Sequence, residues 1–112
     1  MIENLNQLKR IFQDKPRFEI IDHWKGDCIG EVRKVVAVNT VSFHSVVDGH
    51  PEHKNSQANG GKGVVLWWEK AADWAFQDGV CSVYFKNKEH VHENLIMSFR
   101  LLPEEVAEWN RI

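Results

Sequence analysis

Residues 29–47 read IGEVRKVVAVNTVSFHSVV, and this stretch decides the fold class. Its first part is a dense β-branched run, and branching at Cβ crowds a helical turn while suiting a pleated strand. Its second part, TVSFHSVV, alternates: Val41, Phe43, Ser45 and Val47 fall on one face, Ser42, His44 and Val46 on the other. Upstream, RFEIIDHW (17–24) alternates around Phe18 and Ile20, and KGD (25–27) is a turn signal. Three consecutive strands with short connections pair most simply as an antiparallel meander.

Before the meander, IENLNQLKRIF places Ile2, Leu5, Leu8, Ile11 and Phe12 at steps of three and four, one face of an amphipathic helix that Pro16 terminates. After it, GVVLWWE (63–69) predicts a fourth strand, KAADW a single turn, and WAFQ (74–77) a short strand. Asp78-Gly79 marks a hairpin into VCSVYFK (80–86), where Cys81, Val83 and Phe85 share a face. ENLIMSFRLL (93–102) alternates at Leu95, Met97, Phe99 and Leu101 and is read as a strand, with a helix as the alternative. Pro103 opens a second, short helix with Glu104 and Glu105 in its first turn and Val106 and Trp109 facing the sheet. The expected fold is α+β: a curved antiparallel β-sheet with an N-terminal and a short C-terminal helix, curling into a small SH3-like or OB-like barrel.

At 112 residues the chain is expected to form a single domain, residues 1–112, with a core that needs neither metal nor disulfide staples. A net charge of −2 argues against duplex nucleic-acid binding that depends mainly on phosphate neutralisation, and leaves room for a local basic patch. Cys28 and Cys81 lack CxxC spacing, and the first ten residues lack an apolar export signal, so the expectation is a cytoplasmic protein with reduced thiols. No apolar run is long enough to span a bilayer, so no membrane partner is expected.

The loop 48–63, DGHPEHKNSQANGGKG, invites two chemical readings. A phosphate loop needs a glycine where Ser56 stands and a hydroxyl residue where Gly63 stands, so that reading fails. A metal reading gathers His44, His50, His90 and His92, with Asp48 or Glu52, because an HxH pair on a strand puts two imidazoles on one face. Zinc is the one cofactor this suggests. Against it, His90 and His92 are flanked by charges that suit an exposed turn, and HPEH has no common ligand spacing. No nucleophile elbow or base-paired nucleophile is present, so an enzyme is the less favoured class.

Five tryptophans are the most unusual feature of the composition. Trp67 and Trp68 are consecutive, so a strand turns one inward and the other outward. Trp67, Trp68 and Trp74, with His50, His53 and Lys62 of the polar loop, are the candidate binding residues. Arg33, Lys34, Lys62 and Lys86 lie near the aromatics in the pattern, which keeps a single-stranded nucleic acid available as a partner. An uncovered edge strand would also permit a homodimer.

The runs GKGVVLWWEKAADWAFQDGVCSVYF and HENLIMSFRLL, within residues 61–102, resemble small uncharacterised proteins of low-GC Gram-positive bacteria and their phages. The resemblance rests on an aromatic and hydrophobic pattern and carries no catalytic motif. It implies a phage or mobile-element origin, in which proteins of this size act by binding a macromolecule. The sequence reading is therefore a non-enzymatic cytoplasmic binding module that recognises a protein partner through an aromatic surface and the 48–62 loop. The alternatives are a single-stranded nucleic-acid-binding small barrel and a metal-dependent enzyme using the histidines.

Overall fold

A computed structural model describes residues 2–24, 26, 28–48 and 63–105 of the chain. Helix α1 spans Leu5–Phe12, and the Asn4 side chain caps it by accepting the Gln7 N–H at 2.9 Å. Gln7 Oε1 in turn accepts the Glu3 N–H at 2.7 Å, so two N-terminal donors are satisfied reciprocally. The apolar stripe predicted from spacing is the buried stripe: Leu8, Ile11 and Phe12 are enclosed, and Ile2 joins them from the segment before the cap. Lys15 then takes a positive φ of 54°, which turns the chain into Pro16 and the sheet.

The seven strands are β1 (Arg17–His23), β2 (Val32–Val38), β3 (Ser42–Val47), β4 (Gly63–Trp67), β5 (Ala72–Gln77), β6 (Val80–Phe85) and β7 (Leu95–Leu101). They form one sheet in the order β4-β3-β2-β1-β7-β6-β5, and every pairing is antiparallel. The predicted meander is present as β1-β2-β3. The Asp78-Gly79 hairpin is present too, with φ values of 54° and 80° at its two central residues, as a primed turn requires. The strand read in ENLIMSFRLL is present as β7, and its helical alternative is not. The turn expected over KAADW is shorter than predicted, because β5 already begins at Ala72 and takes in Trp74.

The sheet's two ends, β4 and β5, are consecutive in sequence and joined by residues 68–71 alone. Six strand spacings laid flat would separate them by about 29 Å, whereas the link from Trp67 to Ala72 reaches at most about 19 Å. The sheet must therefore curl. With every neighbour antiparallel, β4 and β5 also run in the same sense, so 63–77 behaves as one extended segment with a kink. Its first half pairs with β3, where the Trp68 N–H still donates to the Val41 carbonyl at 2.9 Å. Its second half pairs with β6, where the Ala71 carbonyl accepts from Lys86 at 3.2 Å. The change of partner occurs at Glu69–Ala71, and Ala71 carries the kink with a φ of 60°. β4 and β5 are not hydrogen-bonded to each other, so the sheet is curled and open; it does not close as a ladder.

Helix α1 contributes the aromatic centre of the core. The Phe12 ring lies 4.8 Å from Phe43, 5.8 Å from Phe18 and Trp68, and 5.9 Å from Phe99, so it touches β1, β3, β7 and the kink together. Fully burying one such ring contributes about 1.5–3 kcal/mol of transfer free energy. Cys81 and Val83 are buried on the core face as predicted, while Phe85 at the strand end is exposed. Pro103–Glu105 begin the expected C-terminal helical turn, and Val106 and Trp109 lie outside the described residues. Arg17 holds that turn down by meeting Glu105 at 3.1 Å and Glu104 at 2.9 Å, with Asp48 at 3.6 Å. The hydrogen bond to Glu105 is the largest cause of a raised guanidinium pKa, countered by partial desolvation.

Candidate functional site: a cleft between α1 and β5

Where the sheet stays open, the start of α1 and the edge of β5 enclose a shallow cleft of about 420 Å³. Its floor is Ala72, Trp74 and Phe76, the alternate residues of β5 that face inward. The Trp74 and Phe76 rings are nearly parallel, 9° apart with centroids at 6.1 Å, and both are only partly buried. Trp74 is fixed from below by its Nε1–H, which donates to the Trp68 carbonyl, and by edge contact with Phe99 at 6.0 Å.

The backbone of the same residues is turned the same way. Gln77 and Val80 close the hairpin, and the Lys86 N–H bonds the Ala71 carbonyl, so the β6-facing groups of β5 belong to Ala71, Asp73, Ala75 and Gln77. By the alternation of an antiparallel ladder, the amides and carbonyls of Trp74 and Phe76 point to the open edge. Among the described residues no backbone group bonds them.

Glu3, Glu69, Asp73 and Lys86 line the rim, and a second amine, Lys9, stands beside it. Lys9 pairs with Glu69 at 2.6 Å, and that hydrogen bond is the main reason the Glu69 carboxyl lies below its ordinary pKa. Lys86 Nζ donates to the Glu69 carbonyl at 3.2 Å, which bends it over the kink. Asp73 Oδ2 accepts the Asn87 N–H at 3.0 Å. The arrangement is an acidic rim around an aromatic floor beside a strand edge that lacks a partner, and it can accept an extended chain carrying basic side chains.

The residues predicted from sequence divide. Trp74 lines the cleft. Trp68 corrects its expectation as a contact residue: it is 1% exposed, packs on Phe12 and Phe43, and donates its Nε1–H to the Asn39 carbonyl at 3.1 Å. Trp67 is the outward member of the pair, 40% exposed on β4, with the Lys70 ammonium 5.1 Å from its ring. His50, His53, Lys62 and most of the 48–62 loop lie outside the described residues. Glu3, Glu69, Asp73 and Phe76 were not singled out from sequence. The alternation of Trp74 and Phe76 before Asp78-Gly79 was a visible signal, but an edge position is not written in one chain's pattern.

The metal set does not gather among the described residues. His90 and His92 are not on a strand, because the hairpin ends at Phe85 and a 3-10 turn runs from His92 to Asn94. His90 stacks on Tyr84 at 4.5 Å, and His92 Nε2 meets Asp22 at 3.1 Å, while His44 stands on β3 opposite Val65. His44 Nδ1 is enclosed and has no hydrogen-bond partner among the described residues. No group of three His, Cys, Asp or Glu side chains suited to a metal is found among the described residues. Arg33 is no surface cation either. It is buried on β2, donating Nε to Ser45 Oγ at 3.0 Å and Nη2 to the Ser45 carbonyl at 2.9 Å, with Glu31 on Nη1.

Comparison with protein-family models, curated proteins and solved structures finds no match to this chain. No helix among the described residues is long and apolar enough to cross a membrane.

Proposed function

We propose that this chain is a non-enzymatic binding module, and that it recognises a protein partner by adding an extended, basic segment of that partner to the edge of β5. The carrying observation is that Trp74 and Phe76 present both an aromatic floor and edge-directed backbone groups to the same cleft. Strand addition uses main-chain hydrogen bonds for affinity and pockets for alternate side chains for specificity, and this cleft offers both. The rim carboxylates Glu3 and Glu69, the latter shared with Lys9, favour lysine or arginine on the incoming strand. The same carboxylates disfavour a phosphate backbone, and the burial of Arg33 and Trp68 removes two residues that the nucleic-acid alternative relied on. A cytoplasmic setting and a phage or mobile-element origin, the latter implied by the resemblance over residues 61–102, are part of this proposal.

Selection of peptides from a random library on the purified protein tests it. Enriched sequences are expected to alternate apolar and basic residues. Glu3→Lys and Glu69→Lys, both on the rim, are each expected to weaken a selected peptide roughly three- to tenfold, and less so at high salt. Absence of any enriched pattern, or peptides whose binding ignores both charge reversals, would contradict the reading.

A further inference from the structure

The opposite end of the sheet presents a second edge with a different character. Trp68 donates to the Val41 carbonyl, and the register pairs Phe43 with Leu66, so the β3-facing groups of this strand belong to Leu66 and Trp68. The amides and carbonyls of Val65 and Trp67 therefore point away from the sheet. Their side chains, on the face away from the core, are each 40% exposed. Among the described residues nothing pairs with this edge.

Edge strands are normally blunted by an inward charge, a proline or a bulge. β4 has none of these: it reads GVVLW, with Lys62 and Glu69 standing only beyond its ends, and its pairing with β3 runs without a register shift. An uncharged, regular edge is a template for another strand, and β4 of a second copy meets it without bringing any charge into the pairing. Antiparallel pairing about a two-fold axis at Val65 sets Val65 against Val65 of the second copy and Trp67 against Gly63, in both directions. The outward groups of residues 63, 65 and 67 then close about six backbone bonds. Each tryptophan ring lies over a position with no side chain, an aromatic–glycine cross-strand pair.

We infer that β4 is a self-association edge through which two copies of this chain join their sheets across a two-fold axis at Val65. The residues that pair in this arrangement, 63–67, are not among those that line the β5 cleft.

Sedimentation velocity between about 1 and 100 µM tests the inference, with Val65→Lys and Trp67→Lys as variants at exposed positions. The wild type is expected to sediment as a dimer, and both variants as folded monomers with unchanged circular dichroism. A wild type that stays monomeric throughout, or a dimer that survives both folded variants, overturns it. A cysteine at position 65 reads the register directly. Facing Cα atoms in a hydrogen-bonded pair are about 5.5 Å apart, within disulfide reach, so Val65→Cys is expected to form an intermolecular disulfide. Trp67→Cys, offset from its own copy, is not; equal cross-linking of the two would overturn the axis.

Discussion

Trp67 and Trp68 are neighbours in the chain and opposites in environment, and the difference fixes what their loss does. Trp68 packs on Phe12, Phe43 and Trp74 at the point where the sheet changes partner, so Trp68→Ala is expected to cost about 3–5 kcal/mol in urea unfolding. Trp67→Ala, at an exposed position, is expected to change stability by less than about 1 kcal/mol. That one ring of the pair points inward was legible from strand alternation; which one was not, because phase depends on the side that α1 occupies. Cys81 carries a second residue-scale expectation. Burial pushes its thiol up to about 12 from an ordinary value of 9.0. The neutral thiol is favoured in the folded state, so this contribution is complete below pH 9 and is lost as pH rises toward 12. Stability is therefore expected to fall by up to about 1.4 kcal/mol per pH unit in that window, and less in Cys81→Ala. Cys81 is also expected to resist alkylation at pH 8 until the protein unfolds; rapid labelling of the folded protein would contradict its burial.

The kink at Glu69–Ala71 determines more of the architecture than any single strand. Ala71 holds a φ of 60°, a conformation that costs an L-residue about 1–2 kcal/mol and glycine almost nothing. Part of that gain is offset by the greater freedom of glycine in the unfolded chain. Ala71→Gly is accordingly expected to raise stability by about 0.5–1 kcal/mol, read as a higher urea midpoint with an unchanged slope. Helix α1 depends on its cap, and Asn4→Ala is expected to cost about 1 kcal/mol. The helix was legible because its stripe has a single period, and the β5–β6 hairpin because Asp78-Gly79 is specific for a primed turn. β5 itself was read two residues short, since a kink built on alanine carries no glycine or proline to announce it. The strand premise of the HxH pair does not hold, because the 3-10 turn at His92–Asn94 interrupts the extended backbone that puts alternate imidazoles on one face.

At the scale of the molecule, one sheet with two ends accounts for both proposed surfaces. Curling lets residues 68–71 connect β4 to β5 without joining their ladders, and α1 fills the inside of the curl with Phe12, Leu8 and Ile11. Each end strand then keeps one edge without a partner among the described residues. β5 pairs its edge with an aromatic floor and an acidic rim; β4 pairs its own with Val65 and Trp67. The fold class was legible in the periodicities, whereas the cleft was not, because Glu3, Glu69 and Asp73 meet only after the sheet curls. The most direct test of the binding proposal is amide hydrogen exchange of the protein saturated with a selected basic peptide. Strand addition at β5 predicts that the Trp74 and Phe76 amides slow by at least about tenfold while the Asp73 and Ala75 amides, already bonded to β6, change little. Bound peptide with Trp74 and Phe76 exchanging at the rate of the peptide-free protein would contradict it.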